Sequence, residues 1–413
     1  MQDTGLLLAA IMVMVVLNVL MVVATIAVKA LRSFEKRRVQ RLKDELEPAL
    51  YDYLANGEIS PALEKLPGKD PNILSNLMIK LLLVLRGAEN NRVVELAHKL
   101  GLVERDHAKL STRHRWQRAK AAENLGYYGG PDAVAPISAL LDQQDETLRA
   151  VAARALARIG TKQAAETLAE HLRSRSELTS LRMAENLERI GPLAVDPLVE
   201  LVESDDEELH RAQVLAARVL GNLRISDGRP ALCKAIQRHR NPDLRAQATL
   251  ALGKVGNPDD VPTLVEAAGD DFWPVRVQAA NALGMLGEVS TVPKLKELVS
   301  DREWWVRLNA SKALVKIGPE GEKALADLLE GPDRFARDRA AATLEEQGIV
   351  RRLAIELAQE NGRSESAERV IRSLVEAGAT RHLDRLCQTL PEESVRRALS
   401  RVLSETRAEI HDA

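Results

Sequence analysis

Apolar residues return at spacings of three and four along most of this chain, the period of a helix that buries one face. In the stretch Asp270 to Gly287, DDFWPVRVQAANALGMLG, that face carries Val275, Ala279, Leu283 and Leu286. The glycine that closes it suits a C′ position with left-handed backbone. A second periodic run follows, VPKLKELV from Val292 to Val299, entered through Pro293 at a first-turn position where a missing N–H costs nothing. Pro136, Pro197 and Pro262 stand in the same place in other copies. Each unit therefore predicts two helices, and such a hairpin needs stacked neighbours to bury its apolar face.

Close copies of the unit fill most of the chain. DREWWVRLNASKALVKIG (Asp301 to Gly318) follows it and NPDLRAQATLALGKVG (Asn241 to Gly256) precedes it. Closing glycines fall at Gly129, Gly160, Gly191, Gly256, Gly287, Gly318, Gly348 and Gly378, with Arg224 in the slot between Gly191 and Gly256. The spacings are 31, 31, 33, 32, 31, 31, 30 and 30 residues, and a period of this size marks a solenoid. Eleven residues before the closing position an arginine recurs as Arg118, Arg149, Arg245, Arg276, Arg307 and Arg337, while Ser180, Gln213 and Ala367 fill the slot in divergent copies.

Val275, Arg276, Ala279, Ala280, Ala282, Leu283, Gly284 and Gly287, preceded by Asp270, form the pattern V-R-x-x-A-A-x-A-L-G-x-x-G. This resembles HEAT repeats of the short, phycobilin-lyase-like type, over residues 112–405 or about seventy per cent of the chain. The resemblance implies an all-α fold: a right-handed α-solenoid of about nine helical hairpins. It says little about function, because that repeat serves many unrelated binding tasks.

The N-terminus breaks the amphipathic rule. Gly5 to Val28 is 24 residues without a charge, with Asn18 and Thr25 its only polar side chains. That length suffices to cross a bilayer core of about 30 Å. A signal peptide fits less well, because MQDTG has no basic residue and Lys29 interrupts the A-x-A-like site. Lys29, Arg32, Lys36, Arg37, Arg38, Arg41 and Lys43 follow at once, against Glu35 alone. By the positive-inside rule that flank stays cytoplasmic, so the expectation is a single-pass protein of a bacterial inner membrane with its N-terminus outside and its repeats in the cytoplasm. The expected division is 1–4 outside, 5–28 spanning, 29–44 basic, 45–111 a helical adapter or cap, 112–405 repeats and 406–413 a tail.

Composition adds few constraints. The net charge is −2 and the basic cluster alone holds +6, so with Asp3 at −1 the chain from Asp44 onward carries about −7. That balance argues against a polyanion groove, and no nucleic-acid partner is expected. Cys233 and Cys387, far apart in the chain, read as buried free thiols.

Within the cap, Ser60 to Pro71 reads as a turn-rich connection. Ile73 to Gly87, ILSNLMIKLLLVLRG, is too short to span and contains Lys80, so it reads as a buried core helix. His107 and His114 lie seven apart, as if on one helical face near Asp106 and His98, without the spacing of a metal motif; no metal and no cofactor are expected.

Three groups stand out as candidate sites. The repeated Asp and Arg residues (Arg118, Arg149, Arg245, Asp270, Arg276, Asp301, Arg307, Arg337) read as a structural ladder, the Asp at a helix start and the Arg reaching its neighbour's Asp. Trp273, Trp304, Trp305 and Phe335, beside Arg276 and Arg307, read as a protein-binding patch, since exposed Trp with Arg is the composition of interface hot spots. Trp116 holds a comparable slot near Arg118. The seven basic residues after the span form the third group, set to fix topology. The insertion RISDGRP, Arg224 to Pro230, reads as a kink or a binding loop.

The chain has no G-x-x-x-x-G-K-[ST], G-x-G-x-x-G, H-E-x-x-H, C-x-x-C or G-x-S-x-G signature, nor the paired His-Glu motifs of iron-dependent HEAT-repeat hydroxylases. The expectation is therefore a non-enzymatic, membrane-anchored scaffold that holds another protein, with envelope-polysaccharide machinery one candidate. The alternatives are a chaperone for a tetrapyrrole-like ligand and a nucleic-acid-binding HEAT module.

Overall fold

A computed structural model of the protein describes residues 2–64, 71–174, 176–359 and 364–412. Residues 65–70 of the turn-rich connection expected between Ser60 and Pro71 lie outside the described residues. All regular structure among the described residues is helical, and the chain is an α-solenoid. It forms two compact units, Met1–Ala164 and Ala165–Ala413.

The first unit opens with α1 (Gln2–Asn56), a single helix of 55 residues, about 80 Å at 1.5 Å per residue. Between Gly5 and Pro48 no Gly or Pro interrupts it, and the basic stretch is made of good helix formers, so the apolar run, the basic run and the cap-packing segment share one axis. Gly57, with φ 77°, ends it. From Leu17 to Phe34 its side chains stand exposed, whereas Leu46, Ala49, Leu50 and Tyr53 are buried where the helix packs on α3 and α4. It contains the one candidate span among the described residues, long and apolar enough to cross a membrane.

The cap continues through α2 (Pro61–Glu64), α3 (Pro71–Val84), α4 (Gly87–Lys99) and α5 (Leu102–Leu110). As its pattern predicts, α3 is a core helix: Ile73, Leu74, Leu77, Met78, Ile79 and Leu82 are buried and Lys80 is exposed. A buried polar cluster locks α5 to α6 (Arg115–Tyr128). The Asp106 carboxylate is fully buried and accepts from Tyr128 Oη at 2.5 Å, Asn124 Nδ2 at 2.8 Å and Arg105 Nη2 at 2.8 Å, while Arg105 Nη2 also reaches Ser75 of α3 at 3.0 Å. Burial, then the neighbouring carboxylate, pushes the Tyr128 phenol well above its ordinary pKa. The first repeat helices follow as α6, α7 (Val134–Ser138) and α8 (Glu146–Ile159), and α9 (Lys162–Glu170) carries the chain into the second unit.

The second unit alternates longer and shorter helices: α10 (Glu177–Ile190), α11 (Val195–Glu203), α12 (His210–Leu223), α13 (Arg229–Arg238), α14 (Pro242–Val255), α15 (Val261–Ala267), α16 (Trp273–Leu286), α17 (Val292–Leu298), α18 (Trp304–Ile317), α19 (Pro319–Leu329), α20 (Arg334–Glu346), α21 (Ile349–Gln359), α22 (Glu365–Glu376) and α23 (Thr380–Thr389). The last, α24 (Glu393–Asp412), continues through the segment expected as a tail and buries Thr406 on the way.

The even-numbered helices from α10 to α20 stack in order, and small residues set their spacing. A Cβ on Gly221 would lie 2.6 Å from Ala251 Cα, one on Gly253 2.5 Å from Ala282 Cβ, and one on Gly284 2.7 Å from Ala313 Cβ. Gly126 meets Ala155 in the same way in the first unit, at 2.8 Å. The L-G step of the repeat is thus a contact between backbones, a role its conformation alone would not require.

One closing position differs from expectation, and one holds it without a glycine. Gly129 keeps a right-handed helical backbone at φ −78°, and Gly130 takes the left-handed turn instead. Arg224 does adopt the glycine-like conformation, at φ 55°, alone among the described non-glycine residues.

Candidate protein-binding surface

The helices α8, α14, α16, α18 and α20 each carry an arginine four residues after the N-cap, which aims its guanidinium back at the preceding turn. Nη1 donates to the carbonyl six residues earlier: Arg149 to Gln143 at 2.7 Å, Arg245 to His239 at 3.1 Å, Arg276 to Asp270 at 2.8 Å, Arg307 to Asp301 at 2.8 Å and Arg337 to Gly331 at 2.7 Å. Two divergent copies substitute polar groups of their own, Ser180 Oγ bonding the Ser174 carbonyl at 3.1 Å and Gln213 the Ser204 carbonyl. Arg396 at the start of α24 makes the same backward bond, to the Leu390 carbonyl. Sequence reading missed it because the last copies had lost their arginine at Ala367.

In two rungs the rest of the guanidinium fork crosses to the next repeat. Arg245 Nε and Nη2 donate to Asp270 at 2.8 and 2.9 Å, and Arg276 Nε and Nη2 donate to Asp301 at 2.7 and 2.9 Å. Bidentate, charge-assisted pairs of this kind are the strong ones. The same carboxylates accept the amides of Phe272 and Glu303, each at 2.8 Å. Asp270 and Asp301 therefore tie the turn two residues ahead of the N-cap positions, Phe272 and Glu303, and are not helix caps as their place in the repeat suggested. Burial pushes both carboxyls up, but the arginine and amide hydrogen bonds outweigh it and hold both below the ordinary carboxylate range. In the first unit Arg118 crosses instead to the Gln143 side chain.

The aromatic residues sit at the first two positions of consecutive helices in the stack. Trp273 opens α16, Trp304 and Trp305 open α18, and Phe335 is the second residue of α20. They are 38 %, 47 %, 53 % and 64 % exposed, although Val275, Val306 and Ala336, one or two positions on, are buried. The rings of Trp304 and Trp305 meet edge to face with centroids 4.7 Å apart, and the Arg307 guanidinium lies 5.1 Å from the centre of the Phe335 ring. Trp116 holds the second position of α6 in the first unit and is also exposed. The Lys29 to Lys43 group lies along α1, exposed up to Arg41 and half-buried at Lys43.

Other singled-out residues have different fates: Cys233 and Cys387 are free but only half-buried, not core thiols. His107 lies on α5 and His114 at the N-cap of α6, so the single helical face expected for them does not exist. Asp106 is committed to Tyr128, Asn124 and Arg105. Among the described residues no three His, Cys, Asp or Glu side chains converge as metal ligands. The RISDGRP insertion forms a short helical turn whose Arg229 clamps Asp260 through Nε at 2.9 Å and Nη2 at 2.7 Å. Sequence reading also missed the edge-to-face pair of His210 and His239, 5.9 Å apart. A shallow groove of about 820 Å³ runs past His210, Arg211, Arg240 and Gln247.

A family model described as HEAT repeats matches residues 108–188, 195–280 and 261–345. Among solved structures, the complex of CpcE and CpcF of phycocyanin lyase from Nostoc is 21 % identical, covering 54 % of this chain and 92 % of that one with a TM-score of 0.28. Human deoxyhypusine hydroxylase is 20 % identical, covering 62 % and 98 % with a TM-score of 0.26. The Escherichia coli protein YibA is 18 % identical, covering 59 % and 95 % with a TM-score of 0.39. These likenesses concern the fold alone. No curated protein matches the chain.

Proposed function

The chain belongs to the HEAT-repeat family, and from that premise we propose that it is a membrane-anchored scaffold that holds another protein against its repeats. The observation that carries this reading is the run of exposed aromatic rings on α16, α18 and α20. Trp and Tyr beside Arg dominate interface energetics because they bury much area at small entropic cost. Structural duty would not call for two indoles at one exposed helix start.

The anchor is α1. Its uncovered apolar run far exceeds the exposed patches that soluble monomers carry, and the basic flank supports a cytoplasmic location for the repeats. Because α1 continues into the cap core, the cap would be held to the bilayer by a helix and not by a flexible tether. We place the protein in a bacterial inner membrane, N-terminus outside, with a membrane-bound complex as partner and envelope-polysaccharide machinery as a candidate.

The test is purification of the full chain in mild detergent with and without Trp304→Ala and Trp305→Ala. One stoichiometric partner that the double variant loses, with unchanged helical content, supports the reading. A partner retained at full occupancy would make the patch structural. Protease added to intact spheroplasts should leave the repeats uncut, and cleavage there would reverse the topology.

A further inference from the structure

Several rungs of the ladder are chemically incomplete, and the one at Arg307 lies beside the aromatic patch. In three rungs the residue six positions before the arginine turns its side chain toward the arginine of the preceding repeat: Gln143 to Arg118, Asp270 to Arg245 and Asp301 to Arg276. At the next rung that residue is Gly331, which has no side chain to offer Arg307. Arg307 spends Nη1 on the carbonyls of Asp301 and Arg302, and its guanidinium stacks on Phe335. Nε and Nη2, the edge that grips a carboxylate in the two rungs before it, face no acceptor among the described residues. The nearby Asp333 carboxylate is turned to the Phe335 amide, at 2.9 Å. This open fork lies against the Phe335 ring, on the same first turns of α18 that carry Trp304 and Trp305, and Arg307 is half-exposed.

We infer that Arg307 is the specificity-determining residue of the aromatic patch, and that it binds the carboxylate of an Asp or Glu side chain on the partner protein. The inference rests on the patch reading above and adds the chemistry of the partner. The incoming carboxylate would take the place that Asp270 and Asp301 hold for Arg245 and Arg276, and the Phe335 ring beside it would exclude water from one side and strengthen the pair. A guanidinium already held by two backbone carbonyls and a ring face loses little freedom on binding, which favours it as a receptor.

The structure also supplies the competitor. Gly331 has no left-handed backbone, and a Cβ there would meet only the Leu328 carbonyl, at 3.2 Å. Gly331→Asp should therefore close the fork from inside, restoring the missing rung without touching any surface ring.

The experiment pans a random heptapeptide phage library on the full chain in detergent. Selected peptides, resynthesised with amidated C-termini, are then titrated against wild type, Gly331→Asp, Arg307→Lys and Trp305→Ala. We expect the selected peptides to share an Asp or Glu near apolar residues. Their affinity should fall about tenfold or more when that residue becomes Asn or Gln, and likewise on Gly331→Asp and Arg307→Lys. Gly331→Asp should unfold at the same temperature as wild type or higher, and Arg307→Lys keeps the charge while removing the fork. Peptides that bind without a carboxylate, or bind Gly331→Asp and Arg307→Lys as tightly as wild type, would overturn the inference; if Trp305→Ala still abolishes their binding, the patch reading survives. Failure of wild type to select any peptide would sink both.

Discussion

The cap and the repeat stack solve the same problem in opposite ways. Helices α5 and α6 are tied by a polar centre used once, the buried Asp106 with its phenol, amide and guanidinium donors. Helices α12, α14, α16 and α18 are held by one small-residue contact made again and again, Gly221 on Ala251, Gly253 on Ala282 and Gly284 on Ala313. A unique network specifies one arrangement and fails if any member is removed. A repeated contact spreads its stabilisation evenly, so that each copy carries a fraction and neighbours compensate. The lesson is that damage should be severe and local in the cap, graded and additive in the stack.

The sharpest way to break this contrast is Asp106→Ala. It strips the shared acceptor from Tyr128, Asn124 and Arg105, and removing one partner of a buried charged pair costs about 3–5 kcal/mol. Hydrogen exchange should show α3, α5 and α6 losing protection while α14 to α18 keep theirs. Equal loss in both regions would refute the separation. Next comes Gly253→Ala, whose new methyl would collide with Ala282; overpacking of this kind costs about 1–3 kcal/mol, read as a lower midpoint in urea. A neutral result would mean the helices can part by a few tenths of an ångström.

Asp301→Asn probes a single rung. The folded-state pKa of Asp301 is depressed, so its contribution is fully present above the unfolded carboxyl value near 3.9 and is lost as pH falls through the folded one. At neutral pH the variant should lose about 1–2 kcal/mol, and below about pH 4 the gap to wild type should close. A gap that persists at low pH would show that the loss does not come from the charge on the carboxylate. The smallest effect belongs to Trp304→Ala with Trp305→Ala. Both residues are only about half exposed, so stability should move by about 1 kcal/mol or less per site while partner binding collapses. A large drop in thermal midpoint would move these rings into the fold's core accounting.

Much of this was legible in the chain, and unevenly. Periodicity with a regular spacing announced the hairpins, and the register of Arg245 and Arg276 announced a ladder. Yet the ladder's acceptors were misplaced by two residues, because a pattern of letters does not distinguish a turn that bonds its own amide from a helix cap. The L-G step was read as part of a motif, whereas its reason lies across the interface, in the alanines of the next helix. Arg396 was missed because its copy had drifted from the consensus, although the backward bond to Leu390 survives.

What the sequence determined alone is whatever depends on local spacing: amphipathic hairpins, their number, an apolar helix long enough to cross a bilayer and the charge that flanks it. Periodic burial and uniform apolarity are properties of neighbouring residues, so they can be read without coordinates. The tertiary structure decided what depends on residues distant in sequence. It brought Asp106 together with Tyr128 and Asn124, and it aimed the forks of Arg245 and Arg276 at carboxylates far along the chain, Asp270 and Asp301. It left the Arg307 fork open beside Phe335 because Gly331 stands where an aspartate would close it. Hydrogen bonds act over about 3 Å, and only the folded chain says which groups come that close.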